Sequence, residues 1–151
     1  METLTLEHLS AYLPYHAMVQ WTRPDDKAVL FSPLTVADYY FYIHRNKAKI
    51  ILYPLYSLTE TIWYEGKEIS PIEFIKDWYN EKYAKSIDGL AHYSFENDFI
   101  LFGTIEPEET EIINMPYQAY QLLFKMKIDI FGLIEKGLAV DVNNLETNPY
   151  K

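Results

Sequence analysis

The chain has 151 residues, of which 49% are hydrophobic, 17% aromatic and 23% charged, and its formal net charge is -9. This length and composition are typical of one domain with its own core and exclude disorder and collagen-like repeats. The absence of cysteine excludes a disulfide scaffold, a thiolate zinc site and a cysteine nucleophile, and the acidic balance disfavours nucleic acid as a partner. We therefore predict a single domain over residues 1–151.

The N-terminal part of the chain predicts a helix followed by two strands. Thr5 is the expected N-cap of a helix that reaches Tyr12, and Pro14 prevents its continuation. Met18–Thr22 and Lys27–Phe31 then favour strands joined by a proline-containing turn. No basic segment followed by an apolar one precedes them, so we expect no signal peptide and a cytoplasmic location.

The middle of the chain predicts further strands. Asp38–His44 is rich in tyrosine and favours a strand by propensity, with an aromatic helix as the alternative. Lys49–Leu55 favours a strand that ends near its proline. Glu60–Tyr64 and Lys67–Ile69 are separated by Glu65-Gly66, which is typical of a two-residue hairpin turn.

A capped helix is predicted over Ser70–Lys85, because a serine cap is followed by proline at the first helical position and glutamate at the third. Ala91–Glu96 and Phe99–Phe102 predict another hairpin. A final strand or extended tail is expected over Leu138–Val142.

A second long helix is predicted over Asn114–Lys136, with a glycine just beyond its end. Apolar side chains occupy more than one of its faces, whereas a surface helix of a monomer keeps a polar face. The segment therefore either lies in the core, where a break near Lys127–Asp129 would let two short helices turn different faces inward, or contacts a second copy of the chain. Burial in the core predicts that Leu123→Asp or Phe124→Asp unfolds the protein. Contact with a second copy predicts that these variants stay folded and change from dimer to monomer.

The order of these elements predicts an α+β fold, because hairpins dominate the first half and the regular alternation of a parallel sheet is missing. We expect a mainly antiparallel sheet of about five to seven strands, with two or three helices packed on one face.

The sequence carries no motif for enzyme chemistry. Its four histidines, His8, His16, His44 and His92, have no metal-ligand spacing, and its five glycines form no phosphate-binding loop. We therefore expect no catalytic residue, no metal and no cofactor. No apolar stretch approaches the roughly 20 residues of a membrane-spanning helix, so no membrane partner is expected.

An excess of aromatic residues in the middle of the chain is the strongest candidate for a functional feature. Such residues fill a core, anchor a protein interface or line a small-molecule pocket, and these three interpretations remain open. The candidate interaction surface consists of Tyr40, Tyr42, Tyr53, Tyr56, Trp63 and Tyr64.

Three segments of the chain resemble recurring segments of a group of uncharacterised bacterial proteins associated with prophages and other mobile elements. They are Leu13-Pro14-Tyr15, Lys49–Leu55 followed by Leu58-Thr59, and Phe131–Asp141. The resemblance spans most of the chain, and the last segment is the distinctive one. It implies an accessory protein, and it brings no known activity, cofactor or catalytic residue.

Two functional hypotheses follow. The first is a non-enzymatic, phage-like or mobile-element accessory protein that acts by binding an unidentified protein partner, with a homodimer as a further candidate. The second is a small-ligand-binding protein or an unrecognised enzyme whose pocket is lined by tyrosines. An interface requires an exposed apolar patch, whereas a pocket requires a concavity with converging polar groups.

Overall fold

A computed structural model of the chain describes residues 4–38, 48–83, 89–94, 99–104 and 117–151. These residues have an α+β structure, as predicted, and belong to two compact units. The first unit comprises the described residues of Met1–Pro54 and Phe124–Lys151, and the second those of Leu55–Leu123. The single domain over residues 1–151 stays a prediction.

The described residues contain four α-helices and eight strands. The helices are α1 (Leu6–Tyr12), α2 (Val36–Asp38), α3 (Pro71–Tyr83) and α4 (Tyr117–Lys125). The strands are β1 (Met18–Thr22), β2 (Val29–Pro33), β3 (Ala48–Leu52), β4 (Ile62–Tyr64), β5 (Lys67–Ile69), β6 (Gly89–Ser94), β7 (Phe99–Thr104) and β8 (Ala139–Asp141). Within the described residues, no helix has the length and apolar character needed to cross a bilayer.

A four-stranded sheet with the order β2-β1-β3-β8 organises the first unit. β1 pairs with β2 and β3 in antiparallel register, whereas β3 pairs with β8 in parallel register. Val19 lies opposite Ile50, and Ile50 lies opposite Ala139, so these side chains share one face. All three are buried together with Leu9 and Tyr12 of α1, which places the core of this unit between α1 and that face.

The start of α1 has the predicted cap. The hydroxyl oxygen of Thr5 accepts from the backbone N–H of His8, and the His8 side chain accepts from the backbone N–H of Thr5. Both bonds satisfy helix-start donors that have no partner within the helix. A short 3-10 helix, Leu13–Tyr15, follows α1, in agreement with the predicted stop at Pro14.

In the second unit, the predicted hairpin of β4 and β5 is present. Glu65 and Gly66 have φ angles of 49° and 76°, which is the left-handed backbone that a two-residue hairpin turn requires. The buried side chain of Tyr64 contacts Phe74 of α3 edge-on, with ring centroids 5.6 Å apart. α3 buries Ile72 and Ile75 on one face, and β6 pairs with β7 as the predicted second hairpin.

The sheet differs from the prediction in two respects. The strands of the described residues form one four-stranded and two two-stranded sheets rather than a single sheet of five to seven strands. The pairing is also mixed, because β8 returns to β3 in the parallel direction. Strand propensity indicates neither how the strands are divided among sheets nor the direction of a pairing between segments distant in sequence. The packing of the helices on one face stays a prediction.

The predicted helix over Asn114–Lys136 is wrong in its second half, because the break expected near Lys127–Asp129 is present but residues 126–137 form turns rather than a second short helix. α4 ends at Lys125, and Lys127 has a left-handed φ of 61°. Tyr53 explains this end, because its N–H donates to the Lys127 carbonyl and its own carbonyl accepts from Asp129 N–H, both at 2.8 Å. Turns follow as far as Gly137, whose φ is 73°. The start of this prediction, and all of Asp38–His44 except Asp38, lie outside the described residues.

Candidate functional site

The six aromatic residues predicted as an interaction surface do not share one environment. Tyr53 is buried, whereas Tyr56 is 43% exposed only three positions later. The difference arises because β3 ends at Leu52 and a 3-10 helix, Leu55–Thr59, follows Pro54. A 3-10 helix has three residues per turn, so the two-residue alternation of the strand no longer applies.

The remaining members of the set are also divided. Tyr64 is buried, and Trp63, which points to the other face of the same strand, is half-buried. Tyr40 and Tyr42 lie outside the described residues. Buried Tyr53 and Tyr64 contribute little accessible surface, so among the described members the predicted surface depends on Tyr56 and Trp63. As an interaction surface, the set stays a prediction.

Near the C-terminus, Tyr150 inserts its hydroxyl between two strands of the first unit. The hydroxyl oxygen accepts from the backbone N–H of Met18 at 2.8 Å, and the hydroxyl donates to the carbonyl of Ile51 at 2.6 Å. Val19 pairs with Ile50, so Met18 and Ile51 are the next opposed residues of β1 and β3. The Tyr150 hydroxyl therefore takes the place of a direct backbone bond at the end of this ladder.

Asn148 holds Tyr150 against Tyr53. Its side-chain carbonyl accepts from the N–H of Tyr150, and its amide group donates to the Tyr53 hydroxyl, both at 2.8 Å. The Nζ of Lys127 lies 5.3 Å from the centre of the Tyr150 ring, a cation–π distance. Burial raises the pKa of Tyr150 above its ordinary value. The sequence does not predict this cluster, although Asn148-Pro149 is a recognisable turn signal.

The Tyr12 hydroxyl also bridges two backbone groups, those of Ile128 and Ile130. These groups alternate with the Lys127 and Asp129 groups that bond to the Tyr53 backbone. The hydroxyl donates to the carbonyl of Ile128 at 2.6 Å and accepts from the N–H of Ile130 at 3.2 Å. The Tyr12 ring meets Phe124 and Phe131 edge-on, and it is completely buried. Desolvation by burial raises the pKa of the Tyr12 phenol. The hydroxyls of Tyr12 and Tyr150 thus satisfy backbone groups and stabilise the fold.

Among the described residues of the first unit, Asp129 has the buried carboxylate. One of its oxygens accepts from the N–H of Leu133 at 2.8 Å and the other from the N–H of Ile134 at 2.9 Å. Desolvation raises the pKa of this carboxyl group, and the backbone donors and the charge of Lys136 oppose that rise. Both oxygens cap the turn that follows, so the carboxylate has a structural role.

The pKa of Asp129 predicts a specific pH dependence of stability. A carboxyl group with a raised pKa binds its proton more tightly in the folded state than in the unfolded state. Its contribution to stability is complete below pH 3.8, the ordinary value, and is lost as the pH rises through the folded-state pKa. The free energy of unfolding, measured in urea for the wild type and for Asp129→Asn, should therefore favour the wild type most at acidic pH. This difference should shrink toward neutral pH. A difference that is constant or grows with pH would contradict this assignment.

The outer edge of β2 is the most exposed apolar element of the four-stranded sheet. Val29 is 48% exposed, Phe31 is 44% exposed, and Pro33 is also exposed. Their side chains share a face with Gln20 and Thr22 of β1, the face opposite Val19. None of the five residues of β2 is charged, and Pro33 is its one residue of a type that usually protects sheet edges.

The hydrogen bonds beside β2 define which of its backbone groups point outward. Leu34 N–H donates to the Ala17 carbonyl, and the Ala28 carbonyl accepts from Arg23 N–H. The backbone N–H and carbonyl groups of the even-numbered residues of this strand, Leu30 and Ser32, therefore point toward β1. Because residues alternate along an antiparallel ladder, the N–H and carbonyl groups of Val29 and Phe31 point away from it.

Within the part of the chain that the structure describes, no three His, Asp or Glu side chains lie close enough together to hold a metal ion. No family model, curated protein or solved structure matches the chain.

Proposed function

We propose that this chain is a non-enzymatic accessory protein that acts by binding another protein chain along the outer edge of β2. The observation that carries this proposal is the combination, on one edge strand, of exposed Val29 and Phe31 with outward-pointing backbone groups. Edge strands of this kind bind extended segments through backbone hydrogen bonds and select them through alternate side chains. The resemblance to prophage-associated proteins supports an accessory role.

The arrangement of the buried tyrosines supports protein binding over the alternative of a tyrosine-lined pocket. A ligand pocket requires polar groups that are directed at the ligand. The hydroxyls of Tyr12 and Tyr150 are instead bonded to backbone groups of the same unit, and the Tyr53 hydroxyl accepts from Asn148. These side chains stabilise the fold, which leaves the exposed apolar residues of β2 as the better candidate for recognition.

Phe31→Lys tests this function, because it places a charge at the centre of the β2 edge without disturbing the core. The matched control is Leu6→Lys, since Leu6 is 41% exposed and belongs to α1, on the opposite side of the sheet. Both variants should remain folded, as judged by circular dichroism. The immobilised wild type and Leu6→Lys should retain a protein from a lysate of the source cells that Phe31→Lys does not retain.

The retained protein is then purified and its binding measured by titration calorimetry. Phe31→Lys should weaken binding at least about tenfold, because it removes a central apolar contact and buries an unpaired charge. Equal binding by all three forms, or loss of binding by Leu6→Lys alone, would contradict the proposed role of β2.

A further inference from the structure

We infer that the chain bound by the β2 edge is a second copy of this protein, paired antiparallel and centred on Phe31. The inference rests on the proposed function and identifies its partner. In this arrangement the four-stranded sheet continues across a two-fold axis into the sheet of the second copy. Two-fold pairing through one self-complementary patch is the commonest form of protein dimer.

The backbone of β2 is self-complementary in this register. Phe31 of each copy lies opposite Phe31 of the other, and each donates its outward N–H to the carbonyl of its counterpart. The N–H of Val29 then donates to the carbonyl of Pro33 in the second copy. Pro33 has no N–H, which leaves one acceptor in each copy, the Val29 carbonyl, without a partner in the new ladder. The proline is therefore compatible with pairing at this edge.

The side chains fit the same register. Residues that lie directly opposite one another in an antiparallel pair project from the same face. The two Phe31 rings therefore meet at the axis, and each exposed Val29 packs beside an exposed Pro33 of the other copy. No like charges face one another along the paired strands, because β2 carries no charge in a chain of net charge -9.

Charge complementarity at both ends of the strand supports the second copy as the partner. Lys27 lies just before β2 in a turn, where its φ is 59° and its N–H donates to the Arg23 carbonyl. The Asp38 carboxylate lies just after β2, since it accepts from the Thr35 N–H at 2.7 Å and from the Thr35 hydroxyl at 2.9 Å. Antiparallel pairing places the start of one β2 beside the end of the other, so a Lys27 and an Asp38 of different copies lie at the same end of the paired strands.

Cysteine cross-linking tests the partner and the register together, because the natural chain contains no cysteine. In the proposed dimer, the Phe31 Cα atoms lie about 5.5 Å apart, within the range that a disulfide spans. Phe31→Cys should therefore form a covalent dimer under mild oxidation. Val29→Cys is the matched control on the same face, since its counterpart lies four residues along the strand, about 13 Å away. It should remain monomeric on a non-reducing gel.

Light scattering of the chain without added cysteine completes the test. The wild type and Leu6→Lys should have twice the mass of one chain, and Phe31→Lys should have the mass of one chain. A monomeric wild type, a Phe31→Lys dimer, or cross-linking of Val29→Cys as efficient as that of Phe31→Cys would overturn the inference. If the wild type is monomeric but retains a different protein from the lysate that Phe31→Lys does not retain, the proposed function holds and only the inferred partner is wrong.

Discussion

Leu123→Asp should abolish folding. Leu123 lies in α4 and is 0% exposed, so the substitution places a carboxylate in the interior without a partner. An unpaired buried charge lowers the free energy of unfolding by more than about 4 kcal/mol, which is comparable to the whole stability of many domains. Phe124→Asp should act in the same way, because the Phe124 ring packs against Tyr12 and stacks on Phe131.

The control for this prediction is Gln118→Asp, an exposed position of the same helix. It should change the free energy of unfolding by no more than about 0.5 kcal/mol. Circular dichroism and urea unfolding measure both variants. A folded Leu123→Asp variant that changes from dimer to monomer would instead place the dimer contact on α4, and a folded variant of unchanged mass would contradict the burial of this helix.

Tyr12→Ala should destabilise the protein by about 3–5 kcal/mol, because it removes a fully buried ring and leaves a cavity between α1 and the sheet. Tyr12→Phe separates the hydroxyl from the ring. It leaves the carbonyl of Ile128 and the N–H of Ile130 without their partner, at a cost of about 1–3 kcal/mol.

Urea unfolding of both Tyr12 variants measures these two contributions. Tyr15→Phe is the control for the loss of a hydroxyl, since Tyr15 is only half-buried in the short 3-10 helix that follows α1. Its effect should stay within about 0.5 kcal/mol. A Tyr12→Phe variant as stable as the wild type would show that the hydroxyl bridge contributes nothing to the fold.

Local sequence patterns predicted the elements whose causes are local. The Thr5 cap, the Glu65-Gly66 turn and the proline start of α3 each depend on residues within a few positions. β1 was predicted with its observed bounds, Met18–Thr22, because its apolar and polar residues fit a half-buried strand. In each case propensity and tertiary packing favour the same structure.

The sequence allows a break near Lys127–Asp129, but the reason that α4 ends there could not be predicted, because it is distant in sequence. The apolar pattern continues beyond Lys125, but the backbone of Tyr53 pairs with Lys127 and Asp129 and interrupts the helix. This pairing joins segments more than seventy residues apart. Single-segment periodicity indicates which residues are apolar and does not indicate which distant backbone groups they meet.

The candidate site also combines features that the local sequence predicts with features that depend on distant contacts. The sequence draws attention to tyrosine, yet Tyr12 and Tyr150, whose hydroxyls bridge backbone groups, lie outside the predicted set. Each acts through a backbone partner at the other end of the chain. The exposed edge formed by Val29 and Phe31 was predicted as a strand, but its position at the border of the sheet depends on the strand order, which no local pattern encodes.

If the outer edge of β2 binds a second copy of the chain, its outward backbone groups should be protected only in the dimer. Amide hydrogen exchange followed by NMR at high and low protein concentration measures this protection. The outward N–H groups of Val29 and Phe31 should exchange slowly in the concentrated sample and rapidly in the dilute one. The N–H groups of Leu30 and Ser32, which face β1, should be protected at both concentrations. Rapid exchange of the Val29 and Phe31 N–H groups at both concentrations would contradict the pairing of β2 with a second copy.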